Sequence, residues 1–227
     1  MARHLARVPI NTSLILLTIA VALLRPGAAV AQSKLPAYEV TGFRDTRFGM
    51  TEPEVRQVVK TSFGIDDDDM TSMAADRITG ATRLLVHVHS LDFGFGEPVI
   101  EYLFGYRQHR LFKVDVVWGR DRNPQFTDAA MIAGAMRLQG YFLRFAWADR
   151  SVRIGVPLDE RAVVLFSAED RKGGGAVSVA AENVRYELRP NNAVNLIPEH
   201  MISPRLIVSY TDQSSEADVQ QVGRGEF

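Results

Sequence analysis

The chain has 227 residues, and its 26 Lys and Arg nearly balance its 27 Asp and Glu, for a formal net charge of −1. That balance argues against a nucleic-acid binder or a polybasic membrane patch. The 46% hydrophobic content is enough for a core, and the lack of cysteine excludes disulfides, thiol catalysis, thiolate metal sites and a cysteine-borne lipid anchor.

The N-terminus reads as a secretory leader. Arg3, His4 and Arg7 precede an apolar run at residues 14–24, and Ala29-Val30-Ala31 offers small residues for cleavage before Gln32. The run is much shorter than the ~20 residues that span a bilayer. We therefore expect residues 1–31 to be removed, a periplasmic mature protein, and no stable membrane anchor after cleavage.

Residues 42–64 carry agreeing signals for one unit. Phe43 and Phe48 alternate with charged residues in an extended lead-in, and Gly49 allows a tight turn. Thr51-Glu52-Pro53-Glu54 then reads as a helix start, with Thr51 as N-cap, Pro53 in the first turn and Glu54 closing a capping box. Val55, Val58, Val59 and Phe63 share one stripe, and Gly64 is placed to end the helix. The segment Phe48-Gly-Met-Thr-Glu-Pro-Glu-Val55 resembles the opening of small bacterial envelope domains of the SmpA/OmlA (BamE) type and of β-lactamase-inhibitor-protein-like domains. That resemblance implies a helix laid across an antiparallel sheet and a protein that binds other proteins rather than catalysing. The lack of a lipidated cysteine departs from the BamE-type lipoproteins.

Asp66-Asp67-Asp68-Asp69 lacks the Gly at the sixth and Glu at the twelfth position of a calcium loop, and reads as a solvated loop or acidic contact surface. Three strands follow, at residues 83–91, 99–106 and 111–118, joined by Phe93-Gly-Phe-Gly96 and Arg107-Gln-His-Arg110 as an antiparallel meander. Asn123-Pro124 marks a second helix start leading to Tyr141. Strands are then expected at 162–167, 176–180, 184–188 and 206–210, with a hairpin loop at 170–175.

The fold class is thus α+β, with antiparallel sheet covered by helices on one face. Pro53-Glu-Val55 and Pro124-Gln-Phe126 head similar successions of helix and strands. A tandem repeat over 32–120 and 121–211 and a single α+β domain both remain open. Residues 212–227 have little to bury and are expected to form a mobile tail.

His87 and His89 stand at i and i+2, which puts two imidazoles on one face of a strand, and Glu101, His109 or Asp115 would have to supply a third metal ligand. The same pair also reads as two solvent-facing polar residues, or as a surface that charges at acid pH. No nucleophile motif and no phosphate-binding loop is present, so we expect no cofactor and no enzyme. Tyr102, Phe104 and Tyr106 form one aromatic stripe, and Phe112, Val114, Val116 and Trp118 another. Whichever is left uncovered would bind a partner, which makes Tyr102 and Tyr106 candidate protein contacts. The leading expectation is a non-catalytic periplasmic adaptor that meets another envelope protein. A small-ligand or metal module built on His87 and His89 is second, and a hydrolase last.

Overall fold

Residues 35–91, 94–121, 123–197, 203–213 and 218 are described by a computed structural model of the chain. In chain order they form β1 (Gly42–Phe43), β2 (Thr46–Arg47), α1 (Glu52–Phe63), a 3-10 turn (Asp67–Asp69), β3 (Met70–Met73), β4 (Thr82–His87), β5 (Val99–Phe104) and β6 (Leu111–Gly119). Then come α2 (Asp128–Phe142), β7 (Val156–Asp159), β8 (Ala162–Glu169), β9 (Gly175–Glu182), β10 (Arg185–Leu188), β11 (Val194–Ile197) and β12 (Arg205–Asp212). The leader expected over residues 1–31 lies outside the described residues, none of whose helices is long and apolar enough to cross a membrane.

Eight of the strands make one antiparallel sheet in the order β3-β4-β5-β6-β12-β9-β8-β7, while β1–β2 and β10–β11 are separate hairpins. The architecture is α+β and mostly sheet. α1 precedes β3 to β6, and α2 precedes β7, β8, β9 and β12. The two series meet where residues 113–119 of β6 pair with 205–211 of β12. The stretches 32–120 and 121–211 therefore share a single sheet.

α1 starts where the cap chemistry places it. Thr51 is extended, the Glu54 carboxylate accepts from the Thr51 backbone N–H at 2.7 Å and hydroxyl at 2.8 Å, and Gly64 ends the helix in the left-handed conformation at φ 65°. Backbone bonds from Gly49 to Leu111 and from Leu111 back to Met50 tie the lead-in to β6. Arg44 lies over the Phe63 ring at 5.1 Å, so the β1–β2 hairpin clasps the far end of the helix.

The carboxylates around this unit carry a pH dependence. The Thr51 backbone N–H and hydroxyl hold Glu54 below the usual carboxylate range, the Lys60 ammonium does the same for Asp67, and the Thr79 and Ile78 backbone N–H groups do it for Asp76. A lowered folded-state value gives stability that is complete above the unfolded value and is lost as pH falls through the folded one. Urea unfolding is therefore expected to show this contribution unchanged from pH 7 to about 5 and declining below about 4. Glu54→Gln should flatten part of that decline; an equally steep decline in the variant would show that the cap does not titrate with folding.

α2 begins later than its sequence promised. Pro124 is not at the first helical position, because residues 123–126 close a separate turn, with Phe126 N–H donating to the Asn123 carbonyl at 2.9 Å and Gln125 N–H to Asn123 Oδ1 at 2.9 Å. Thr127 is the N-cap and accepts from Ala130 N–H at 3.1 Å. Its buried residues, Met131, Gly134, Ala135, Leu138 and Phe142, recur at helical spacing, and the helix contacts β8, β9 and β12. Gly134 lets α2 approach β12 closely, since a Cβ there would lie 2.9 Å from Leu206 Cδ2.

Strand alternation assigns the core. Leu84 and Val86 of β4, Ile100, Tyr102 and Phe104 of β5, Val114, Val116 and Trp118 of β6, Leu206, Val208 and Tyr210 of β12 and Val177 and Val179 of β9 join one cluster. Val55 and Val59 of α1 and Met131, Leu138 and Phe142 of α2 belong to the same cluster. Phe95, in the loop after β4, packs on Trp118 with ring centres 5.1 Å apart.

Candidate functional site

The residues between those core positions point the other way, and the registers align them into rows. One row crosses five strands as Ser167, Ser178, Ser209, Asp115 and Glu101. Beside it runs an apolar row of Val164, Ala180, Ile207, Val117 and Val99, ending at His87. Val99, Val117, Ile207 and Leu85 are buried yet stand outside the core cluster.

The charges on this face are paired within it. Asp115 and Glu101 sit directly opposite each other, an arrangement that repels unless compensated. Lys113 Nζ lies 2.8 Å from Asp115, and Arg83 lies 3.8 Å from Glu101. Arg205 reaches Glu182 at 3.4 Å. Two buried polar atoms of this face, Asp115 Oδ1 and Arg205 Nε, have no hydrogen-bond partner among the described residues. The serine end of the polar row floors a concavity of about 510 Å³ bounded by Arg153, Glu169 and Thr211.

Each residue singled out from the sequence has a definite place. His87 ends β4 and is exposed, and His89 lies beyond the strand with its ring 84% exposed and Nδ1 4.0 Å from Glu97 Oε1. Glu101 is diagonal to His87 across the β4–β5 pair, and Asp115 is one strand further. His109 is at the opposite end of β5, about 17 Å along the strand. Among the described residues, no three His, Asp or Glu side chains gather as metal ligands.

Tyr102 is wholly buried and offers no surface to a partner. Burial of its hydroxyl pushes its pKa far up, partly offset by the neighbouring Thr46 hydroxyl and Arg44. Its stripe, continued by Phe104, is the core-facing one, so the contact role expected of Tyr102 is replaced by a packing role. Tyr106 is 42% exposed and rests on Gly80, where a Cβ would meet its ring. The polar row was missed in the sequence because single serines on successive strands carry no local signal, and only register lines them up. The chain matches no protein-family model, no curated protein and no solved structure.

Proposed function

We propose that the protein is a non-catalytic periplasmic adaptor that docks another envelope protein on the sheet face bearing the two rows. In this reading α1 and α2 both cover the opposite face, and the two helix-plus-four-strand series are a tandem duplication. The resemblance of residues 48–55 to SmpA/OmlA-type and β-lactamase-inhibitor-protein-like domains agrees with it.

The observation that carries the reading is the polar row of part-exposed Ser167, Ser178 and Ser209, bordered by the ion pairs Lys113–Asp115 and Arg205–Glu182. Eight strands spaced ~4.8 Å apart and ~20 Å long offer a face on the order of 700 Å², close to the ~800 Å² each partner buries in a stable complex. A nucleophile–base pair finds little support, since His87 lies three strands and two residues from Ser209, about 16 Å away.

Ser178 is small and partly exposed within the polar row, between Ser167 and Ser209, so arginine there obstructs docking while leaving the core alone. Met136 of α2 is 69% exposed and serves as the control. Ser178→Arg is expected to weaken capture of the envelope partner at least tenfold, with Met136→Arg unchanged. The reverse pattern would overturn the proposal.

A further inference from the structure

The turn between β5 and β6 presents three successive backbone N–H groups to one residue, Asp218, more than a hundred positions later. Tyr106 N–H donates to the Asp218 carbonyl at 2.8 Å. Arg107 N–H donates to both carboxylate oxygens at 3.1 and 3.2 Å, and Gln108 N–H donates to Oδ2 at 2.8 Å. His109, at φ 51°, returns its N–H to the Gly105 carbonyl at 3.2 Å, which closes the turn around these donors. Oriented main-chain N–H groups of this kind form a fixed, partly positive concavity that selects a carboxylate.

Gly105 supplies an independent sign that the carboxylate belongs there. A Cβ at this position would meet Cβ and Cγ of Asp218 at 2.8 Å, and its backbone is not in the left-handed region that itself demands glycine. The missing side chain makes room for Asp218. Next to it, a concavity of about 410 Å³ runs past Gln108, Leu111 and Asp212. Asp212 ends β12, so only a short tether separates the sheet from the residue that fills the site.

We propose that this turn is a carboxylate-binding site, held by the chain's own Asp218, which takes an Asp or Glu of an acidic peptide segment when the tail leaves. A tether of five residues gives Asp218 an effective concentration in the millimolar range, so a lone carboxylate ion competes poorly. A peptide that also fills the adjoining concavity competes well. Arg107 lies within the turn and favours an acidic segment over a neutral one, while Arg110 at its end is engaged by Glu54 at 3.8 Å and by the Gly49 carbonyl at 3.1 Å.

The test uses the full chain labelled with ¹⁵N, as wild type, Asp218→Ala, Gly105→Ala and the double variant, with synthetic peptides of residues 213–224 carrying either Asp218 or Asn at that position. Amide exchange at Arg107 and Gln108 is expected to quicken at least tenfold in each single variant and no further in the double, because both remove one contact. Added to the Asp218→Ala protein, the Asp peptide should restore the wild-type amide shifts and the Asn peptide should not. Unchanged exchange in both single variants would overturn the assignment, as would equal binding of the two peptides or binding of neither. Gly105→Ala leaves the tail's charge intact, which separates loss of the site from a general change in the tail.

Discussion

Phe142→Ala lowers the unfolding free energy by about 3–5 kcal/mol, the range for removing a fully buried aromatic ring from a packed core. Phe142 is wholly buried at the end of α2 and stacks on Phe166 of β8 at 5.7 Å with the rings 12° apart. Tyr38, from the segment before β1, meets it edge-on at 5.7 Å, and Tyr210 of β12 lies 6.4 Å away. Trp147 packs on Phe166 and donates its indole N–H to the Phe142 carbonyl at 3.0 Å. One ring thus joins the N-terminal segment, the helix and two strands, and no single neighbour can move to fill its place. In a domain of this size the loss corresponds to a fall in Tm on the order of 10 °C. A urea midpoint shift with unchanged m-value would confirm the size of the effect, and a shift below about 1 kcal/mol would show that the cluster is loosely packed.

Asp170→Ala costs on the order of 3 kcal/mol by a different route, the stranding of backbone donors. Asp170 is only 3% exposed. Its Oδ1 accepts from Lys172 N–H at 3.0 Å and Gly174 N–H at 3.1 Å, which shapes the β8–β9 turn, while Oδ2 accepts from Val40 N–H at 3.1 Å. The same carboxylate therefore organises a hairpin and pins a strand-like segment 130 positions earlier. Close approach at that point is built in, since a Cβ on Gly175 would strike Val40 at 2.7 Å. Asp170→Asn keeps one acceptor and should fall between wild type and alanine. Hydrogen exchange at Val40 should quicken in both variants before global unfolding does; protection of Val40 left intact in Asp170→Ala would contradict this role.

Local chemistry made some of this fold readable and left other parts silent. The α1 cap was legible because Thr51, Glu54 and Gly64 act within a few residues of one another. β4, β5 and β6 were legible from alternation, because Leu84 and Val86, Ile100, Tyr102 and Phe104, and Val114, Val116 and Trp118 place their core-cluster members at every second position. β3 and β7 escaped because they are edge strands: β3 buries only Met70, β7 buries none of its four residues, and Pro157 lies within β7. Pro124 misplaced the start of α2 because proline suits a turn as well as a first helical residue, and Thr127 held the stronger cap.

The candidate site was legible only in outline. Alternation identified the aromatic stripe of Tyr102 and Phe104, but which side of a sheet is covered depends on partners distant in sequence, and here that stripe faces the core. The tail shows the same limit. Composition gave residues 212–227 nothing to bury, yet Asp212 pairs with Gly175 in the sheet and Asp218 is fixed through hydrogen bonds to amides rather than through burial. Hydrophobicity carries no trace of such a contact.

Photo-crosslinking in the native envelope tests the proposed docking face most directly. A photoreactive residue is placed at Ser178 or Thr71 on the row-bearing side of the sheet, and at Met136 on α2. The account predicts one dominant envelope protein captured from the two sheet positions and not from Met136. Capture from Met136 with none from Ser178 and Thr71 would place the interface on the helices and contradict it.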